Sequence, residues 1–117
     1  MEFTANEFTF PSASGLCDIY AQSAAPADFS QVQGIVQSTL QYAVYISDHL
    51  GHGKSVANAD ELGFFGDNGV ESVVEDLKQL TDIARQEYPD LPFFIFGHSM
   101  GSFCARVYTA HFGYELN

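Results

Sequence analysis

Residues 92–104 read Pro92-Phe93-Phe94-Ile95-Phe96-Gly97-His98-Ser99-Met100-Gly101-Ser102-Phe103-Cys104, and they are the most informative part of the chain. The first part of this stretch, Phe93 to Phe96, is a continuous apolar run between a proline and a glycine, which is typical of a central strand buried on both faces. Beyond Ser99, apolar residues recur at helical spacing and predict a helix over about 100–112: Met100, Phe103, Cys104, Val107 and Ala110. The stretch therefore predicts a strand over 93–96, a tight turn and a helix.

The turn between this strand and helix places a serine between two glycines, Gly97-His98-Ser99-Met100-Gly101. Glycines at these positions leave room for neighbouring backbone, and the turn lifts the Ser99 hydroxyl out of the sheet. The Met100 N–H then points into the site of a developing oxyanion, where the helix N-terminus adds partial positive charge. This is the nucleophile elbow of serine hydrolases, so we expect Ser99 to be a nucleophile and the Met100 backbone N–H to be an oxyanion donor.

An amphipathic helix is predicted upstream of the elbow, over about 70–88. Its apolar residues fall at helical spacing: Val70, Val73, Val74, Leu77, Leu80, Ile83, Ala84 and Tyr88. Asp67 or Asn68 is placed to cap its start, and Pro89 ends it. Glycines punctuate residues 51–69, which are predicted to form a long loop.

Strand patterns fill the N-terminal part of the chain. Residues 7–10 and 16–21 are strand-like runs on either side of the turn-forming residues 11–15, and predict an N-terminal hairpin. Over residues 32–47 the even positions carry most of the large apolar side chains, which predicts one half-buried strand. The alternation of strands and helices that follows is typical of a parallel α/β sheet, in a single domain spanning residues 1–117.

Composition and charge exclude several classes of function. Four basic residues against fifteen acidic ones give a formal charge of −11, which repels nucleic acid and anionic lipid headgroups. No apolar stretch is long enough to span a membrane and no secretory signal is evident, so we expect a soluble cytoplasmic protein. Cys17 and Cys104 lie far apart and lack metal-ligand spacing, so we expect no disulfide framework, no metal site and no cofactor.

Two motifs together resemble a known family. The segment Phe96-Gly97-His98-Ser99-Met100-Gly101-Ser102 and the earlier Asp48-His49-Leu50-Gly51-His52-Gly53-Lys54-Ser55 are similar to motifs of the α/β-hydrolases, in the monoacylglycerol lipase and lysophospholipase-like branch, also called serine aminopeptidases. The resemblance runs from about Phe8 to Asn117 and covers the N-terminal part of a full-length member. It implies a mostly parallel sheet, with residues 42–47 as the fourth strand and residues 93–96 as the fifth. It also implies hydrolysis of lipid or other acyl esters by Ser99.

The chain departs from this family between the third and fourth strands. Only residues 38–41 separate Val36-Gln37 from Tyr42, so the family's first helix and its His-Gly oxyanion loop are missing. A crossover between parallel neighbours needs roughly a dozen residues, so Ile35 and Val44 cannot lie in adjacent parallel strands of one molecule. A tight antiparallel hairpin or one uninterrupted strand remains. The unbroken alternation favours the single strand, which could extend into a second copy as a strand-exchanged dimer.

The catalytic acid and the general base cannot be assigned. In the family both follow later strands, whereas this chain stops at Asn117, so we expect a truncated domain. Substitutes within the chain are weak candidates, because their positions favour structural or surface roles: His98 beside the nucleophile, Asp48, His49 and His52 in the loop after the fourth strand, and His111 on the second helix. The group Asp48, His49 and His52 could suggest metal ligands, but no further residue at a recognisable spacing completes a coordination set.

Two functional hypotheses follow. In the first the chain is a carboxylic-ester hydrolase that acts on a small acyl ester through Ser99. In the second it is a non-catalytic, self-associating fragment of such a hydrolase. The missing segments predict weak or no turnover by this chain, and the unpaired sheet edges predict a homo-oligomer.

Overall fold

The structure is a computed structural model that describes residues 3–26 and 42–117. Within this part of the chain three strands form one sheet, in the order β1 (Phe3–Pro11), β2 (Asp18–Pro26) and β3 (Val44–Ser47). Two α-helices follow, α1 (Gly69–Glu87) and α2 (Met100–Phe112), and short 3-10 helices span Ala59–Glu61 and Gly113–Glu115. This partial sheet with two helices confirms the α/β class expected from the sequence.

The strands β1 and β2 form the predicted N-terminal hairpin. They pair antiparallel, with Phe8 opposite Ala21. Both strands are longer than their apolar runs because main-chain pairing continues to the ends of the hairpin. Gly15 adopts a φ of 74° in the connecting turn, a backbone conformation that glycine takes without steric cost.

The strand β3 pairs antiparallel with β2, with Ala24 opposite Val44. Of the strand predicted over 32–47, the structure describes residues 42–47 and assigns 44–47 to β3, whereas residues 32–41 lie outside the described part. The apolar even-numbered side faces outward: Val44 and Ile46 are 56% and 61% exposed, while Tyr45 packs against the core. The period of two is therefore present, but the helices cover the odd-numbered side.

The helix α1 packs against the sheet and confirms the helix predicted over 70–88 to within one residue at each end. Its inward side chains Val73 and Leu80 join Phe10, Ile19 and Leu50 in the buried core. Two expectations for its first turn are wrong. Val70 is exposed, because it points away from the sheet, and Asn68 occupies the N-cap position without a side-chain capping hydrogen bond.

The strand predicted over 93–96 is not formed. Among the described residues no ladder joins this segment to the sheet, so every strand pair there is antiparallel. Phe94 and Phe96 are 60% and 92% exposed, rather than buried on both faces. A strand requires a hydrogen-bonded neighbour, and here a cavity lies between this segment and β3. The backbone of Phe93 is hydrogen-bonded to Asn117 instead. Asn117 N donates to Phe93 O at 2.9 Å, and Phe93 N donates to Asn117 Oδ1 at 2.7 Å.

The helix α2 has the bounds predicted for it and packs on α1. The ring of Tyr108 is fully buried between the two helices. Its hydroxyl lies 2.8 Å from Thr81 Oγ1 and donates to Glu115 Oε2 at 3.2 Å. A buried phenol needs such partners, so this contact fixes the position of α2 relative to α1.

All four basic side chains of the protein stack on aromatic rings. The distances from the charged group to the ring centroid are 4.4 Å for Lys54 over Tyr20, 5.4 Å for Lys78 over Phe112, 4.9 Å for Arg85 over Phe93 and 5.9 Å for Arg106 over Phe103. Each distance falls within the range in which the ring face attracts a cation.

Cys17 and Cys104 are free thiols, and partial burial raises the pKa of both. The Cys17 thiol donates to the carbonyl of Ser55 at 3.2 Å. In residues 3–26 and 42–117, no helix has the length and apolar character that crossing a membrane requires.

Candidate active site

Ser99 lies where the segment after residue 93 turns into α2, with φ 55° and ψ −123°. It is the only non-glycine residue with a positive φ in the described part of the chain. Such a conformation costs on the order of 1–3 kcal/mol and persists only where the surrounding structure holds it. Ser99 is exposed at the N-cap position of α2 and makes no side-chain capping bond, so its hydroxyl is not used to hold the helix.

Hydrogen bonds within residues 98–102 hold the turn around Ser99. Ser102 donates to the Ser99 carbonyl through its backbone N at 2.9 Å and through Oγ at 2.7 Å, while Gly101 N donates to His98 O at 2.9 Å. A Cβ on Gly97 would lie 2.3 Å from Gly101 O, so this position admits only glycine. Gly101 differs from the sequence expectation, because a Cβ there would meet no backbone and only His49 Nε2, at 3.9 Å.

Met100 is the first residue of α2. The N–H groups of a helix's first turn have no acceptor within the helix and point outward along its axis. Together with the partial positive charge of the helix N-terminus they form a site suited to an oxyanion. Met100 thus lies at the helix position that the motif predicts, and its role as an oxyanion donor stays a prediction.

The fold brings His49 close to the elbow, although the two are far apart in sequence. Burial is the main cause that lowers the pKa of its imidazole; the nearby His52 adds to the effect, while Asp48 and Asp76 oppose it. A lowered pKa keeps this imidazole neutral at neutral pH. Between these described residues, however, no hydrogen bond joins His49 to Ser99. No local sequence signal could have placed His49 here, because the contact arises from packing.

The loop over residues 48–55 holds its own shape. Asp48 Oδ2 accepts from Lys54 N at 2.9 Å, and Asp48 O accepts from Ser55 Oγ at 2.7 Å. His52 Nδ1 lies 3.1 Å from Leu50 O. A Cβ on Gly53 would lie 2.3 Å from the Asp48 carboxylate, so the turn depends on that glycine. These contacts give Asp48 a structural role in the turn.

The remaining histidines are not placed to take a proton from Ser99. His98 is exposed within the turn, and its backbone carbonyl is used to close it. His111 is exposed near the far end of α2, about 18 Å along the helix axis from Ser99 at 1.5 Å per residue. Across the described ranges, no group of three His, Cys, Asp or Glu side chains could hold a metal ion.

A cavity of about 560 Å³ lies beside the elbow. One wall is β3 with Tyr42 and Ala43, the opposite wall is the segment 93–98, and α1 contributes the floor. Gly97, His98 and Gly101 border it, so the elbow opens onto a largely apolar space.

The sequence of the chain is similar to the sequences of known proteins. The family model for serine aminopeptidase S33 matches residues 38–115. Monoacylglycerol lipase of Mycolicibacterium smegmatis is 36% identical over 74 residues, which are 63% of this chain and 25% of that protein. Human monoglyceride lipase is 36% identical over 71 residues, 61% of this chain and 22% of that protein.

Two solved structures are also similar to this chain. A thermostable carboxyl esterase from Bacillus coagulans, in complex with glycerol, superposes with a TM-score of 0.82 at 31% identity, over 97% of this chain and 42% of that one. A lipase in its open form superposes with a TM-score of 0.75 at 26% identity over the same shares of the two chains.

The fold and these relatives define an α/β-hydrolase of the esterase and lipase type. Within that class the chain belongs to the serine aminopeptidase S33 family and is similar to the monoacylglycerol lipases. It spans about a quarter of the length of the bacterial lipase, and less than half of either solved structure.

Proposed function

We propose that the chain carries the nucleophilic half of a carboxylic-ester hydrolase, with Ser99 as nucleophile. The observation that supports this most is the positive φ of Ser99 at the start of α2, since strain of this kind is kept where a side chain must be presented to a ligand. The proposed substrate is a small acyl ester. Relatives named as monoacylglycerol lipases, and an esterase solved with glycerol, favour an ester of glycerol.

In the proposed reaction, Ser99 Oγ gives its proton to a base and forms a bond to the acyl carbon, while the carbonyl oxygen becomes an oxyanion. The Met100 N–H and the N-terminus of α2 stabilise that negative charge. The ester's C–O bond then breaks, the alcohol leaves with a proton, and water hydrolyses the acyl-serine.

Both proton transfers need a side chain within hydrogen-bonding distance of the reacting oxygens. Among the residues that the structure describes, none is hydrogen-bonded to the Ser99 hydroxyl. We therefore propose weak or no turnover by this chain alone.

A fluorophosphonate probe tests the nucleophile directly, because it bonds covalently to a serine whose exposure and oxyanion donors make it reactive, and it reacts faster where a base is also present. We expect slow labelling that disappears in Ser99→Ala. The matched control is Thr109→Ala, which removes an exposed hydroxyl from the same helix and should label like the parent. Labelling that persists in Ser99→Ala, or no labelling of the folded parent at high probe concentration, would show that Ser99 is not a nucleophile.

The alternative is a non-catalytic, self-associating fragment. The exposed apolar side chains on β3 and in the segment 93–96 favour it, because such patches are usually covered by a partner. Hydrolysis of a nitrophenyl ester that is lost in Ser99→Ala would rule out a purely non-catalytic role.

A further inference from the structure

The cavity between β3 and the segment 93–98 borders an unpaired strand edge, and we call it the slot. One long wall is the outer edge of β3, which pairs with no strand among residues 3–26 and 42–117. An unpaired edge presents a row of backbone N–H and C=O groups that can pair with another strand. The occupant that satisfies this wall is therefore a β-strand.

The slot also determines the character of the side chains that would enter it. Its floor is formed by apolar and small residues of α1, including Leu77, Leu80 and Ala84. On the opposite side of the sheet, Val44 and Ile46 form an exposed apolar row, and the exposed ring of Phe94 lies 6.5 Å from the ring of Tyr42. A strand with large apolar residues on alternate positions would continue that row.

The sequence of the chain contains such a segment. Extending the register of Ala24 opposite Val44 by two residues puts Pro26 opposite Tyr42, and residues 27–41 of the sequence connect these two positions. Val32, Val36 and Leu40 recur on even positions of that segment, in phase with Val44 and Ile46. The sequence of residues 32–40 therefore has the alternation of a strand, and only Gln41 separates it in sequence from Tyr42, which lines the slot.

The same molecule cannot place residues 32–37 in the slot parallel to β3. Residues 38–41 would have to carry the chain back along the whole length of that strand, and a parallel crossover needs roughly a dozen residues. An antiparallel hairpin within one molecule would need a turn at residues 38–41, where no Asn-Gly or Asp-Gly pair occurs.

We propose that residues 32–40 of a second copy fill the slot, and that the exchange is reciprocal. In a two-fold dimer, residue i of one copy faces residue j of the other and the reverse also holds. Antiparallel pairing of the two 32–47 stretches about an axis at residue 39 or residue 40 meets this condition, pairs even positions with even positions and fills both slots at once. Directly opposite residues point to the same face of a sheet, so the even positions of both copies form one apolar row.

The test is the mass of the full chain by light scattering across a range of protein concentrations, with two proline variants. Ile35→Pro removes a backbone N–H and fixes φ inside the proposed strand, whereas Ser30→Pro makes the same change outside it. We expect the parent and Ser30→Pro to have twice the mass of one chain. Ile35→Pro is expected to be monomeric, or to raise the dissociation constant at least about tenfold, which is about 1.4 kcal/mol.

A synthetic peptide of residues 30–41 provides a second readout that does not depend on folding of a variant. Added in excess to the parent, it should convert the dimer into a monomer with one bound peptide, while a scrambled peptide should not. A monomeric parent, or a dimer that neither Ile35→Pro nor the peptide weakens, would overturn the proposal. Because neither measurement involves the Ser99 hydroxyl, this interface and the proposed chemistry succeed or fail separately.

Discussion

The hydroxyl of Ser12, in the turn of the N-terminal hairpin, donates a hydrogen bond of 2.8 Å to Asp76 Oδ2, on a helix 64 positions later in the chain. The other carboxylate oxygen, Asp76 Oδ1, accepts from Ala13 N at 2.7 Å. Both side chains are buried. This carboxylate therefore fastens α1 to the hairpin, the two elements between which much of the core lies.

Replacing Asp76 with alanine should lower the free energy of unfolding by about 1–3 kcal/mol, because a buried hydroxyl and a backbone N–H would lose their acceptors. Urea unfolding at fixed protein concentration measures the change. Glu75→Ala is the matched control, since this neighbouring acidic residue on the same helix is exposed and should alter stability by less than about 0.5 kcal/mol. Equal effects of the two substitutions would contradict the role assigned to Asp76.

The Asp76 carboxylate should also make the free energy of unfolding depend on pH. Burial raises the pKa of Asp76, and its hydrogen bonds to Ala13, Ser12 and Gln79 only partly offset that rise. A raised pKa in the folded state means that the folded protein binds this proton more tightly than the unfolded chain. The resulting stabilisation is complete below the unfolded pKa of about 3.9 and is lost as the pH rises through the folded pKa.

The Asp76→Asn variant isolates this effect, because every other titrating group is common to both proteins. The free energy of unfolding of the parent, minus that of Asp76→Asn, should decrease as the pH rises from the unfolded pKa of about 3.9 through the higher pKa of the folded state. Urea unfolding at several pH values measures this difference. A difference that is constant, or that increases with pH, would mean that folding does not raise the pKa of Asp76.

The two glycines of the elbow should respond differently to alanine. Gly97→Ala places a Cβ 2.3 Å from Gly101 O and should cost about 1–3 kcal/mol, or distort the turn. Gly101→Ala meets only His49 Nε2 at 3.9 Å and lies in a helix, so it should be neutral or stabilising by up to about 1 kcal/mol. Thermal or urea unfolding of both variants measures this contrast, and similar losses for the two would disagree with the structure.

His49 should titrate below its usual pKa of about 6.5, because burial disfavours the charged imidazolium. The measurement is a proton NMR titration of the histidine ring signals, with His49→Gln used to assign the signal. A midpoint at or above about 6.5 would indicate that the imidazole is exposed to water rather than packed beside Gly101.

Local patterns predicted the helices and the hairpin well. The apolar stripe of α1 repeats every three to four residues, so it identified the helix without knowledge of its partner. The turn at Ser99 was likewise encoded within a few residues. In contrast, whether residues 93–96 form a strand depends on a neighbour elsewhere in the chain, and local apolarity could not reveal that β3 pairs only with β2 among the described residues.

The side-chain partners of the core were beyond local patterns for the same reason. The sequence does not distinguish Asp76 from the other acidic residues of the helix. Its hydrogen bonds to the hairpin turn form only when the chain folds. The exposed side of β3 was also not predictable, because period two shows that a strand has two unlike faces without showing which one the helices cover.

The stacking of all four cations on aromatic rings affects the solution behaviour of the protein. Lys54, Lys78, Arg85 and Arg106 lie over rings, and Lys78 also pairs with Asp82 and Glu115, so four cations offset only part of the charge of fifteen carboxylates, which repel one another. Dissolved cations can supply the missing counter-charge, since the screening length falls from about 10 Å at 0.1 M salt to about 3 Å at 1 M. The protein should therefore behave as a polyanion that sodium chloride stabilises, with a melting temperature that rises with ionic strength.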